Sequence, residues 1–176
     1  MDIRPAQRTD AAGIAHVHVD CWRSTYAGLV PQAHLETLSH QQREKDWDSW
    51  LAPSGNIHVF VAIQEHQIVG FASAGAYRGA NQDFQAELYA IYLLPEYHRR
   101  GIGSRLICEA IQKLLQEQMF SMIAWVFTRN PARQFYEKLG GKQIAEKLVL
   151  VGGARLPAVA YGWQDVRVVL ERCAGK

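Results

Sequence analysis

Several things are scarce in this chain of 176 residues, and each absence narrows the reading. It has only three cysteines, Cys21, Cys108 and Cys173, far apart, with no Cys-x-x-Cys pair and no alternation with histidine. That pattern reads as free thiols in a reducing cytosol. No apolar run approaches the roughly 18 residues needed to cross a bilayer. The opening Met1-Asp2-Ile3-Arg4-Pro5 also lacks the apolar stretch of a signal peptide, so a soluble, cytoplasmic protein with no membrane partner is expected. Charge of one sign is missing too. Lys and Arg number 19 against 17 Asp and Glu, a net +2, which excludes coating nucleic acid as the main task and makes any basic site local. Repeats, low-complexity tracts and Gly/Ser linkers are absent, which leaves function to local motifs. What is present is apolar matter, 48% of residues with 10% aromatic, enough to exclude wholesale disorder. The length suits one domain.

The pattern of apolar residues predicts a mixed α/β (α+β) chain in the order β-α-α-β-β-β-α-β-α-β-β. A short strand at Ile3-Arg4 precedes a helix opening at Thr9-Asp10, with Asp10 as the cap and Ile14, Val17 and Cys21 on one face. Residues 35–51 read as a single second helix stopped at Pro53-Ser54-Gly55-Asn56. Residues 57–63 and 68–74 read as a hairpin, and after a polar loop at 78–85 comes a strand at 87–94 ended by Pro95. A helix at 103–118 carries Leu106, Ile107, Ala110, Ile111, Leu114 and Leu115 at helical spacing. A strand at 121–127 follows, then a helix between Asn130-Pro131 and Gly140-Gly141, and two strands at 144–151 and 158–170.

One loop carries chemistry. Pro95-Glu96-Tyr97-His98-Arg99-Arg100-Gly101-Ile102-Gly103-Ser104-Arg105 joins a strand end to a helix start. Its two alternate glycines let main-chain N–H groups converge without Cβ obstruction, which makes an anion site. A dinucleotide fingerprint would need Gly or Ala where Leu106 stands, and a P-loop would need Gly-Lys-Ser/Thr. The loop therefore suits a pyrophosphate held mainly by amides.

From Leu93 to Gly103 the chain resembles the central motif of the GNAT superfamily of acetyl-CoA-dependent N-acetyltransferases, with His98 in place of the usual Gln or Arg. The opening Ile3-Arg4-Pro5-Ala6 with Asp10, the stretch Trp22-Arg23-Ser24-Thr25-Tyr26-Ala27-Gly28, and Phe135-Tyr136-Glu137-Lys138-Leu139-Gly140 extend the resemblance over nearly the whole chain. It implies one N-acetyltransferase domain over 1–176. The implied fold is a mixed, mostly antiparallel sheet of about six or seven strands, flanked by about four helices and splayed at the cofactor strand. It implies acetyl-CoA as co-substrate, with no metal, held by His98, Arg99, Arg100, Gly101, Ile102, Gly103 and Ser104. Ile91, Tyr92 and Leu93 would pair with the pantetheine arm as an added strand.

The resemblance also assigns Tyr136 as the acid that protonates the departing thiolate, a role a phenol protonated to about pH 10 can fill. Asn130 corresponds to an asparagine near pantetheine, although alignment from Tyr136 would put Arg129 there. An amine attacks only when neutral, and Glu87, at the start of the strand leading to the loop, is the candidate base. A main-chain N–H near Leu93 is the candidate oxyanion donor. Trp22 and Tyr26 are candidate acceptor contacts, Cys108 reads as a small core hydrophobe, and His16-x-His18 fails as a metal pair because positions i and i+2 of a helix diverge. The expected activity is acetyl transfer to a primary amine of a small molecule or peptide by direct attack in a ternary complex. The alternative is a non-catalytic coenzyme A-binding sensor or scaffold. The long C-terminal strand segment offers an edge for a homodimer.

Overall fold

The computed structural model describes residues 1–53, 56–79 and 83–174. Its strands are β1 (Asp2–Pro5), β2 (Ile57–Gln64), β3 (Gln67–Ala76), β4 (Ala86–Leu93), β5 (Met122–Phe127), β6 (Lys142–Val151) and β7 (Ala154–Trp163). Its helices are α1 (Ala11–Thr25), α2 (Gln32–Thr37), α3 (His40–Trp50), α4 (Ile102–Gln116), α5 (Arg133–Lys138) and α6 (Arg167–Ala174). The strands form one sheet in the order β1-β2-β3-β4-β5-β7-β6, antiparallel except for the central β4/β5 pair. The expected mixed, mostly antiparallel architecture is therefore present.

Alternation along the strands sends two apolar sets to opposite faces. On one face Leu106, Ile107, Ala110, Ile111 and Leu114 of α4 pack with Ala72, Ala74, Leu88, Met122, Ala124 and Val126. On the other, Ile14, Val17 and Cys21 of α1 and Trp47 of α3 cover Val59, Val61 and Phe71. Both helical stripes follow the i, i+3, i+4 rule that buries one side of a helix.

Four expectations need correction. The second helix is two, α2 and α3, because the chain is extended at Leu38 and Ser39, and the Ser39 hydroxyl caps α3 by accepting from the Gln42 amide at 3.2 Å. Asp10 stands at the start of α1 but does not cap it. Its carboxylate turns back to accept from Arg4 Nη1 at 2.7 Å, Arg4 Nη2 at 2.9 Å and the Gln7 amide at 2.7 Å. The last strand stops at Trp163, and the Val166-Arg167-Val168-Val169-Leu170 stretch belongs mostly to α6, with Val166 and Val169 fully buried. Finally, the cysteines are not all free: Cys108 and Cys173 form a disulfide that ties α6 to α4, and Cys21 alone remains a thiol. Cys108 is thus a covalent tether rather than a plain apolar filler, and the thiol argument for a reducing compartment falls with it. The expected stop at Pro53-Ser54-Gly55-Asn56 and the polar loop at 78–85 lie partly outside the described residues.

Candidate active site

The central parallel pair is short. Ala86, Glu87 and Leu88 pair with Met122, Ile123 and Ala124, and beyond that point β4 and β5 diverge. A bulge in β4 opens the gap, since Ser73 pairs with Ala90 but Ala74 with Leu88, leaving Tyr89 as the extra residue. Leu88 and Ile91, three apart, consequently face the same α4-side core, while Ala90 and Tyr92 face α1. Glu87, next to Leu88, lies on the α1 side with them.

The strand leads into the glycine loop. The Leu94 amide donates to Val69 O at 2.9 Å, so alternation turns the main-chain groups of Ile91 and Leu93 away from β3 and toward the gap. His98 sits against that edge, its Nε2 2.8 Å from Leu93 O. Arg99 (φ 60°) and Gly101 (φ 76°) take left-handed conformations that curl the chain into the first turn of α4. No side chain caps α4, so the first amides of the helix converge without an intrahelical partner. Inside the helix Gly103 costs about 0.5–1 kcal/mol relative to alanine. An added Cβ there would meet only the Phe135 ring, at 3.6 Å, so packing within the protein does not require the glycine. The uncapped amides and this bare backbone fit a pyrophosphate. Arg99, Arg100 and Arg105 are exposed around the turn, with the Arg100 guanidinium 5.5 Å from the Tyr97 ring centroid. The Ile102 side chain points into the core instead, and Ser104 is buried beneath the turn.

At the gap three expected residues meet. The Tyr26 and Tyr92 hydroxyls lie 3.4 Å apart, and Asn130 Nδ2 donates to Tyr26 Oη at 3.3 Å while its Oδ1 accepts from the Ala132 amide at 2.8 Å. Asn130 is therefore buried in the cleft wall, and Arg129 is exposed. Tyr136, on α5, is buried against Tyr161 and Trp163. Its hydroxyl takes no hydrogen bond from or to the described residues, and burial, with a smaller push from Tyr26, raises its pKa far above the usual phenol value. Burial likewise raises Tyr26 and Tyr92. All three stay protonated at neutral pH. Trp22 packs edge-on to Tyr26 with ring centroids 4.8 Å apart, and its buried indole N–H has no hydrogen-bond partner among the described residues. Cys21 is pushed up to about 12 by burial, a shift opposed by the Leu93 amide.

Glu87 is buried, and its carboxylate is gripped by Arg78, with Nη2 at 2.9 Å and Nε at 3.2 Å. The same guanidinium lies 3.9 Å over the Tyr89 ring. Arg78 escapes sequence reasoning because its loop has no periodicity, and so does the aromatic floor of the groove. Phe127 stacks edge-on to Tyr26 at 5.3 Å, and Trp125 carries Lys147 Nζ 3.8 Å above its ring. Alternation from the buried Ile123 was the available signal for both. Val151 and Leu156, at the β6–β7 hairpin tip, close the far wall against Tyr26, Val30 and Leu35.

Residues 15–141 match the acetyltransferase (GNAT) family. The uncharacterised N-acetyltransferase YuaI of Bacillus subtilis is 38% identical over 165 residues, covering 93% of each chain. The spermidine N(1)-acetyltransferase of Thermoplasma acidophilum is 26% identical, over 81% of this chain and 88% of that one. Among solved structures, the PaiA N-acetyltransferase of Thermoplasma acidophilum in complex with coenzyme A superposes with a TM-score of 0.67 at 20% identity, covering 92% of this chain and 98% of that one.

Proposed function

The chain belongs to the acetyltransferase (GNAT) family, and from that premise we propose that it moves acetyl from acetyl-CoA to a primary amine of a small molecule or peptide, by direct attack with both substrates bound. The observation that carries this reading is the divergence of β4 from β5 beyond Leu88 and Ala124, directly before an uncapped helix N-terminus with bare glycine backbone. When bound, acetyl-CoA supplies an acetyl group activated as a thioester.

The residues divide the work. Amides of residues 99–104 hold the pyrophosphate, with His98, Arg99 and Arg100 beside it. The main-chain edge at Ile91 and Leu93 pairs with the amide-bearing arm, and Asn130 lines the same passage with Tyr92. Leu93 O already engages His98, so Ile91 is the more available acceptor. Tyr136, kept neutral by burial, gives its proton to the leaving thiolate. Glu87 takes the proton from the amine, directly or through water. For this it must part from Arg78, whose side chain is 64% exposed and can swing outward as a cationic acceptor takes its place. The Leu93 N–H is the main-chain donor at the gap, and Trp22 and Tyr26 form the acceptor wall. No covalent acyl-enzyme enters the scheme.

One sheet holds all seven strands, which supports reading the chain as a single N-acetyltransferase domain. No described helix is long and apolar enough to cross a membrane, and we place the protein in the cytoplasm, where acetyl-CoA is drawn upon. The C-terminal strand β7 lies between β5 and β6 and so offers no edge, against the expectation, and a homodimer would form through the edge strand β6, where Leu148 and Leu150 are 63% and 69% exposed. The test is an amine panel with acetyl-CoA, following thiol release, beginning with polyamines because one relative is named a spermidine acetyltransferase. Amine-dependent thiol release supports the proposal. Silence across polyamines, amino acids, aminoglycosides and peptides overturns it.

A further inference from the structure

On the outer side of α1, away from the acyl-transfer cleft, three side chains converge that the proposed chemistry does not use. His16 and Asp20 are one turn apart and so share a helical face, and His40 is the first residue of α3, held there by the Ser39 cap. His40 Nε2 lies 2.8 Å from Asp20 Oδ1, and the His16 and His40 rings stack with centroids 4.3 Å apart. One ligand atom from each of the three lies within 4.8 Å of the others. The pairing differs from the one the sequence suggests. His18 turns inward, where its Nδ1 accepts from Trp47 Nε1 at 3.2 Å, while His16 stays at the surface. Beside the cluster a surface cavity of about 540 Å³, lined by His16 and Asp20 together with Thr9, Gln67 and Ile68, leaves room for solvent.

We propose that His16, Asp20 and His40 bind a divalent transition-metal ion of the zinc class, with the fourth position filled by water from the adjoining cavity. Two imidazoles and one carboxylate are a donor set suited to such an ion. Tetrahedral bonds of ~2.0–2.2 Å place ligand atoms roughly 3.3 Å apart. The three groups reach that spacing by small rotations of side chains that are exposed at His16 and Asp20 and half-buried at His40. Binding requires the His40 nitrogen that now faces Asp20 to present its lone pair, with a neutral imidazole and an ionised carboxylate. The ion pins the start of α3 to α1, less than two turns before Tyr26 of the acceptor wall.

The experiment uses the full chain, prepared without a histidine tag, stripped of metal and kept in thiol-free buffer so that the disulfide stays closed. Zinc chloride is titrated against a chromophoric chelator for the parent chain and for His16→Ala, Asp20→Asn and His40→Ala. We expect one zinc per chain, weakened at least about tenfold by each substitution. At zinc 100-fold above Kd the melting temperature of the parent should rise by about 5–10 °C, and the variants should show little of this rise. Cobalt(II) in the parent should give the visible bands of a tetrahedral site, a readout that needs no variant to fold. Zinc bound as tightly by the His16→Ala/His40→Ala double variant, or a parent chain without zinc binding or tetrahedral cobalt bands, overturns the proposal.

Discussion

At the scale of single residues, burial and pairing divide groups that the sequence presents alike. Tyr136, buried and without a hydrogen-bond partner among the described residues, is expected to act as an acid, so Tyr136→Phe should lower kcat by about 10²-fold or more with little change in the KM for acetyl-CoA. An unchanged kcat would remove it from the proton path. Glu87 and Arg78 make a coupled prediction: Glu87→Gln should lower kcat/KM for the amine, whereas Arg78→Gln should raise it by freeing the carboxylate. A fall in both would mean that Arg78 itself binds substrate. His18 offers a test of stability. Burial lowers its pKa from 6.5 to about 3, so the unfolded chain binds a proton in that window and the folded chain does not. Stability contributed by the neutral ring is complete above pH 6.5 and is lost as pH falls toward 3, at ~1.4 kcal/mol per unit. Urea unfolding followed down to about pH 5 should show this extra loss for the parent and not for His18→Gln, where a neutral side chain still accepts from Trp47. Parallel slopes would refute it.

At the scale of elements, most of the fold was legible because periodicity reports which face a segment buries, and every strand of the sheet and the long α4 follow from it. The misses occurred where a local signal was overridden. Ser39 is a good cap in the middle of an apolar pattern that otherwise runs on, and Val166, Val169, Leu170 and Cys173 keep helical spacing although their β-branched run looks like strand. The disulfide was illegible because no spacing rule joins Cys108 to Cys173, 65 residues apart; only the packing of α6 on α4 brings them together. Opening it by a Cys108→Ser/Cys173→Ser change should cost about 2–4 kcal/mol in urea unfolding, since a long closed loop restricts the unfolded chain. Equal stability of parent and variant would show that the bond is not formed in solution. The glycine turn before α4 was legible in the sequence, and the aromatic groove only in part. Phosphate-binding amides need particular residue types in sequence, whereas Phe127, Trp125 and Arg78 reach the groove from separate elements.

At the scale of the whole molecule, the sheet has an exposed edge in β6, whose apolar Leu148 and Leu150 face solvent. Leu148→Lys with Leu150→Lys should convert a dimer to a monomer in sedimentation equilibrium, and an unchanged mass would exclude this edge as the contact. The bulge at Tyr89 reaches across the molecule in another way. It works as a phase marker: upstream of it odd-numbered residues of β4 look toward α1, and downstream even-numbered ones do. Through it Glu87 and Tyr92, five positions apart, share one side of the sheet. A strand of the same sequence paired without the bulge would exchange the inward and outward addresses of Ile91, Tyr92 and Leu93, whereas a chain lacking Tyr89 would keep them and lose only the bend. One extra residue therefore sets phase and splay together, and deletion of Tyr89 should spare folding while costing activity, because it would straighten β4 at the point where it parts from β5.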